Sequence, residues 1–164
     1  MENELVSKVQ PNDTIAEQAV LGSMLVDKDA VIAAVEILVP EDFYREDNKE
    51  IYAAMMELYG LGKHIDMITI IDQLKLRGTL EKVGDATYIA TLIDNVPTTS
   101  NIESYVKIVE EKSVLRKLIK VANDILKMGY GQTEEVDTIM HLVFLLIQQH
   151  NLYLNLPFAF YFFH

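Results

Sequence analysis

The side chains able to do chemistry are plentiful but poorly arranged for it. Gly62-Lys63-His64 offers a lysine beside a glycine. It lacks the upstream glycine of a phosphate-binding loop and the following Ser or Thr that would hold magnesium. His64, His141, His150 and His164 form no HExxH pair, and three of the four fall in one C-terminal stretch. The 25 Asp and Glu residues lie mostly at helix starts and on polar helix faces, where carboxylates cap or are solvated. No cysteine is present, which excludes disulfides and thiolate metal sites. No Ser-His-Asp arrangement can be assembled from the spacing. The chain reads as non-enzymatic, with no catalytic residue, metal ligand or cofactor site of its own.

What stands above this background is basic. Lys112, Arg116, Lys117 and Lys120 cluster in a chain whose net charge is −11. Steps of four put Lys112, Arg116 and Lys120 on one helix face. Two readings stay open: a solvated face balanced by neighbouring acids, or a docking stripe for an acidic partner surface or for passing DNA. The overall charge argues against a non-specific nucleic-acid surface, because phosphate binding needs concentrated Lys and Arg. Ile119 and Ile125, on the same stretch, need a cover from within the chain or from another molecule.

The element carrying these residues is the longest helical pattern in the sequence, Ser100 to Met128, without Gly or Pro. Apolar residues recur in it at three- and four-residue steps. Ser100 and Glu103 have capping-box spacing, and Gly129 is placed to stop the helix. Before it, five shorter helices are expected. Thr14 and Glu17 open the first, TIAEQAVLGSML, whose Gly22 implies close packing of another helix. Asp29 opens the second, which Pro40 closes, and Phe43 and Tyr44 plug the core. Asp47 and Glu50 cap the third, which Gly60 and Gly62 end. Asp66 caps the fourth, finished by Arg77 and Gly78, and Asp85 opens the fifth. After Gly129-Tyr130-Gly131, Thr133 caps a last helix, and so short a link implies an antiparallel hairpin. The fold class is therefore all-α: a helical globule of about five helices followed by an antiparallel helical hairpin. The domains read as a flexible arm at 1–12, the globule at 13–99, the hairpin at 100–140 and an anomalous uncharged apolar tail at 141–164.

That tail has no Asp, Glu, Lys or Arg in 24 residues. Three readings are open: a membrane segment, an apolar strap folded on the hairpin, or a stretch foreign to the domain, such as a shifted reading frame. Polar residues from Gln148 to Asn151 split the run below the ~20 residues a membrane span requires. The N-terminus, MENELVSKVQPND, has no basic run followed by an apolar run, so it does not read as a secretory signal and a cytoplasmic protein is expected.

Several ordered stretches carry a family resemblance: AEQAVLGSML, ILVPEDFYRE, NKEIYAAM, IDMITIIDQL, LEKVGDATYIATLIDNVPTTSNIESYVKIVEEKSVLRKLI and EEVDTIM. Together they resemble the N-terminal domain of the bacterial DnaB-type replicative helicase, over about Pro11 to Met140. The resemblance implies a helical globule and hairpin in which hairpins pair between subunits, as a dimer or a trimer-of-dimers collar. It implies binding to the C-terminal domain of the DnaG-type primase, a response to a helicase loader, and only indirect contact with DNA. Carried over by position, the surface facing the primase or the neighbouring subunit includes Tyr88, Ile119 and Ile125, with Lys112, Arg116 and Lys117 serving the same hairpin surface. Ile15 stands where relatives carry an acidic residue. The family's ATPase domain, which would hold ATP and magnesium, is missing from the sequence. Two other readings remain: a stand-alone helical DNA-binding protein using the basic stripe, and a degenerate helicase fragment without independent function.

Overall fold

The computed structural model describes residues 9–131 and 135–149. Residues 1–8 of the arm, Thr133 as a helix cap and tail residues 150–164 lie outside the described residues. The architecture is all-α, with no strand among the described residues. The helices are α1 (Thr14–Val26), α2 (Lys28–Val35), α3 (Glu46–Gly60), α4 (Met67–Leu76), α5 (Asp85–Asp94), α6 (Ile102–Gly131) and α7 (Val136–Gln149). The chain divides into two compact units, Met1–Ser113 and Val114–His164, and the division falls within α6.

The first unit is built around α1, not around the long helix. Ala16, Glu17 and every residue from Ala19 to Leu25 are buried, which leaves α1 little exposed face. A helix apolar nearly all round must be covered nearly all round. It packs against α2, α3 and α5, while α4 packs on α3 and α5. The core gathers Leu21, Met24, Ile51, Met55, Ile70 and Ile89. Gly22 sits where α1 meets the end of α5: a Cβ there would lie 2.1 Å from the Leu92 carbonyl oxygen and 2.4 Å from Val96 Cγ2. The close packing expected from this glycine is present.

Local signals were right about the helices and often one or two residues off at their starts. Asp13, not Thr14, caps α1, accepting the Ala16 N–H at 2.9 Å. Asp27, not Asp29, caps α2, accepting the Asp29 N–H at 2.9 Å. Asp66 caps α4 as expected, accepting from Ile68 and Thr69 at 2.9 Å each. Asp47 and Glu50 do not cap α3; they pair with Arg45 and Arg77 instead. A short 3-10 turn, Thr99–Asn101, precedes α6, and Thr98 rather than Ser100 supplies its cap. Gly129 does not stop α6, which runs on through Gly131. Phe43 is buried against Tyr52, but Tyr44 is 39% exposed and does not plug the core.

The displaced acids reveal what the spacing hid. Glu17, 1% exposed, is not a cap but the acceptor at the centre of a buried network. Its two oxygens accept from the Tyr44 N–H (2.6 Å), the Arg45 N–H (3.4 Å) and Asn48 Nδ2 (2.9 Å). It thereby fixes the start of α3 against α1. Asp42 does similar work nearby, accepting from the Val39 N–H at 2.9 Å and from Ser113 Oγ at 2.6 Å. That second bond ties the long helix to the globule within the first unit. The Tyr52 hydroxyl donates to the Leu38 carbonyl at 3.0 Å, and burial pushes its pKa up.

The second unit holds the C-terminal part of α6 and, after the link, α7. Helix α7 passes through His141 without a break, so the first nine residues of the uncharged stretch, 141–149, are helical. No helix among the described residues is long and apolar enough to cross a membrane.

Three outcomes are expected. Gly22→Ala should lower unfolding stability by about 1–3 kcal/mol, since overpacking forces backbone to move; a urea melt measures it. Glu17→Ala leaves two backbone donors and an amide buried without their acceptor, and should cost on the order of 3 kcal/mol in the same melt. Asp47, Glu50 and Asp66 have carboxyl pKa values held below the ordinary range, by Arg45, by Arg77 and by the Thr69 N–H respectively. Their contribution is complete above the ordinary carboxylate range and is lost as pH falls through the lowered values. The urea midpoint should therefore drop on acidification, and Asp66→Asn should flatten that drop.

Candidate functional site: the hairpin helix and the Tyr88 corner

The residues singled out in the sequence fall in two places. Tyr88 and Lys112 belong to the first unit; Arg116, Lys117, Ile119 and Ile125 belong to the second.

Tyr88 lies on α5, held by the network that Glu17 organises. Its hydroxyl donates to Asn48 Oδ1 at 2.7 Å and accepts from Gln18 Nε2 at 3.0 Å. The Arg45 guanidinium sits 5.7 Å from the centre of its ring, and Arg45 is anchored in turn by Asp47. Burial raises the phenol pKa, with the Gln18 hydrogen bond acting the other way. Half-buried, Tyr88 thus has one edge committed to the fold. Ile15, at the start of α1, is 76% exposed. No metal-binding cluster of His, Asp or Glu occurs among the described residues.

On the second unit the arrangement is apolar. Leu115, Leu118, Ile119, Ala122 and Leu126 follow three- and four-residue steps along one face of α6. Leu115 (44%), Leu118 (50%), Ile119 (40%) and Leu126 (50%) are all exposed. Val121, on another face, is 2% exposed. Ile125 lies between the two faces and is half-buried, so of the two isoleucines Ile119 is the surface residue. Leu115, Leu118 and Leu126, which the sequence alone does not single out, thus join Ile119 as surface residues. Their spacing was visible; their exposure was not. The basic stripe is less open than its spacing suggested. Lys112 is half-buried, and Arg116 and Lys117 are half-buried and engaged by neighbours, while Lys120 is exposed.

Residues 9–111, nearly the whole first unit, match the DnaB-like helicase N-terminal domain family. The chain is 42% identical over 139 residues to the replicative DNA helicase DnaB of Geobacillus stearothermophilus, covering 84% of this chain and 31% of that protein. It is 41% identical over 140 residues to the replicative DNA helicase DnaC of Bacillus subtilis strain 168, covering 85% of this chain and 31% of that protein. The chain thus spans about a third of the length of these relatives. Among solved structures, it superposes on the N-terminal domain of DnaB helicase from Mycobacterium tuberculosis with a TM-score of 0.81 and 38% identity, covering 85% of this chain and 99% of that one. It shares its fold with a DnaB-like replicative helicase whose interactions with primase have been described, at a TM-score of 0.68 and 23% identity over 90% of this chain and 32% of that one. On this match, and on an all-helical architecture that agrees with it, the chain belongs to the DnaB-like helicase N-terminal domain family.

Proposed function

We propose that this domain is an assembly and docking module of a cytoplasmic replicative helicase: it pairs with a second copy through the hairpin and offers the resulting surface to a primase C-terminal domain. The observation that carries the reading is the exposed apolar face of α6. Leu115, Leu118, Ile119 and Leu126 place several large aliphatic side chains in water on one helix face. An apolar patch of this kind marks an interaction site, and self-complementary pairing of two identical helix faces is the commonest closed solution. Tyr88 and Ile15 supply a second contact region on the globule. The family resemblance and the fold shared with a primase-interacting helicase support primase as the partner. Pairing of dimers into a three-fold collar and a response to a loader extend the same reading. ATP and magnesium have no role on this domain, and DNA is met only through the larger assembly. The engagement of Arg116 and Lys117 weighs against the alternative of a stand-alone DNA-binding stripe.

The test separates binding from folding. Tyr88→Ala would remove the Gln18 and Asn48 hydrogen bonds together with any partner contact, so it is the poorer probe. Leu118→Asp and Ile119→Asp change exposed side chains only. Each is expected to leave the urea midpoint nearly unchanged while weakening self-association about 100-fold, the scale of a lost central contact. Light scattering of the 164-residue chain reads the assembly, and calorimetric titration with a primase C-terminal domain reads the docking. A domain that stays monomeric at high concentration and takes up no primase domain would rule the reading out.

A further inference from the structure

The first unit carries a second surface feature, lined by none of the residues of the α6 face or the Tyr88 corner. Between α2 and the turn joining α3 to α4 lies a cleft of about 290 Å³. Its floor is Val31 and Ile65, both buried, and its walls are Ile32 and Tyr59, which are 48% and 45% exposed. Lys28, Lys63 and His64 stand around it, and no Asp or Glu lines it. In a chain of net charge −11 such a local excess of cations is unusual. Of the nearby carboxyl groups, Asp27 caps α2, Glu57 bonds to Arg77 and Gln73, and Asp66 caps α4 while its charge also meets His64; Asp29 follows Lys28 in the chain but does not line the cleft. Neither Lys28 nor Lys63 has an ion-pair partner among the described residues, whereas Arg45 and Arg77 are both paired.

The rim is also held in place before anything binds. Helix α3 ends in a Schellman turn, in which the Gly62 N–H donates to the Tyr59 carbonyl at 2.9 Å and the Lys63 N–H to the Leu58 carbonyl at 2.9 Å. Gly62 takes the left-handed conformation this requires, with φ of +65°. Lys63 and His64 therefore leave the helix in a fixed direction, and little ordering cost falls on binding.

We propose that this cleft docks a short acidic segment of a partner protein, with one aliphatic or aromatic side chain seated between Ile32 and Tyr59 and flanking carboxylates facing Lys28, Lys63 and His64. The volume lies near the lower limit of ligand pockets, suited to one or two side chains rather than to a cofactor. The apolar floor gives a phosphate nothing to bond. Charge decides against nucleic acid as well. Screening confines a short peptide to the local basic rim, over about 8–10 Å, whereas a polyanion extends into the negative field of the whole chain.

The experiment is fluorescence anisotropy on the full 164-residue chain with three labelled peptides: Glu-Asp-Leu-Phe-Glu-Asp, the same peptide with Gly-Gly at its centre, and the same with Lys for each acid. The first should saturate with an affinity that falls with salt; the other two should bind at least about tenfold more weakly. K28E/K63E should weaken the first peptide by about tenfold or more, and Ile32→Asp should do the same. All three positions are exposed, and an unchanged thermal melt will show that the variants are folded. The proposal fails if the three peptides bind alike, if none saturates below ~1 mM, if K28E/K63E leaves the affinity unmoved, or if a labelled single-stranded oligonucleotide binds more tightly than the acidic peptide.

Discussion

The globule depends on a carboxyl group buried where a carboxyl group is costly. Glu17 lies on the central helix, and burying it is tolerable only because the beginning of α3 presents two backbone N–H groups and an asparagine amide to it. The dependence is mutual. The first N–H groups of a helix have no partner within it, and the residues that lead into α3 carry no side-chain cap of their own. One side chain on α1 meets part of that need and so determines where α3 begins. Asn48 then passes the constraint to Tyr88 on α5, whose ring supports Arg45. Three helices are thus registered to one another by polar contacts, while Leu21, Met24, Ile51 and Ile89 supply the apolar burial that holds them together.

A different constraint governs the second unit. The last part of α6 is apolar on more than one face, and only one of these, at Val121, is buried. A helix exposing Leu115, Leu118, Ile119 and Leu126 gains little from standing alone in water, since each buried side chain of this size is worth roughly 1.5–3 kcal/mol. The stabilisation left unrealised in the single chain is what the proposed pairing would supply. The globule needs no such help, and the cleft on it is accordingly different: small, partly charged and set among capped helix ends.

How much of this was legible in the sequence follows from the range of the interactions. Helix existence was readable because period and caps are local: Asp66 before α4 and Gly78 after it act within a few residues. The all-helical class and the family followed. Cap positions slipped where two candidates competed, as with Asp13 and Thr14, or Asp27 and Asp29. Glu17 was misread because it has the spacing of a capping residue while its true partners are 27 to 31 residues away. The tie between Asp42 and Ser113 spans 71 residues and leaves no trace in local pattern. Of the candidate site, the helix and its apolar spacing were legible, but not which apolar residues were exposed. Val121 and Leu118 are equally apolar in sequence, and only the folded chain separates a buried face from an open one. The cleft beside Lys63 was invisible for the same reason, since Lys28 and His64 meet only in three dimensions.

The approach of α1 to α5 at Gly22 also bears on how this domain can vary. The nearest obstacle to a side chain there is not another side chain but the carbonyl oxygen of Leu92. Every amino acid carries that oxygen. A smaller residue at position 96 could relieve the methyl contact, but no replacement at position 92 can remove the closer one. Damage at Gly22 is therefore beyond repair by a single suppressor at its closest neighbour. A side chain at position 22 must be accommodated by a shift of backbone, one helix moving against the other.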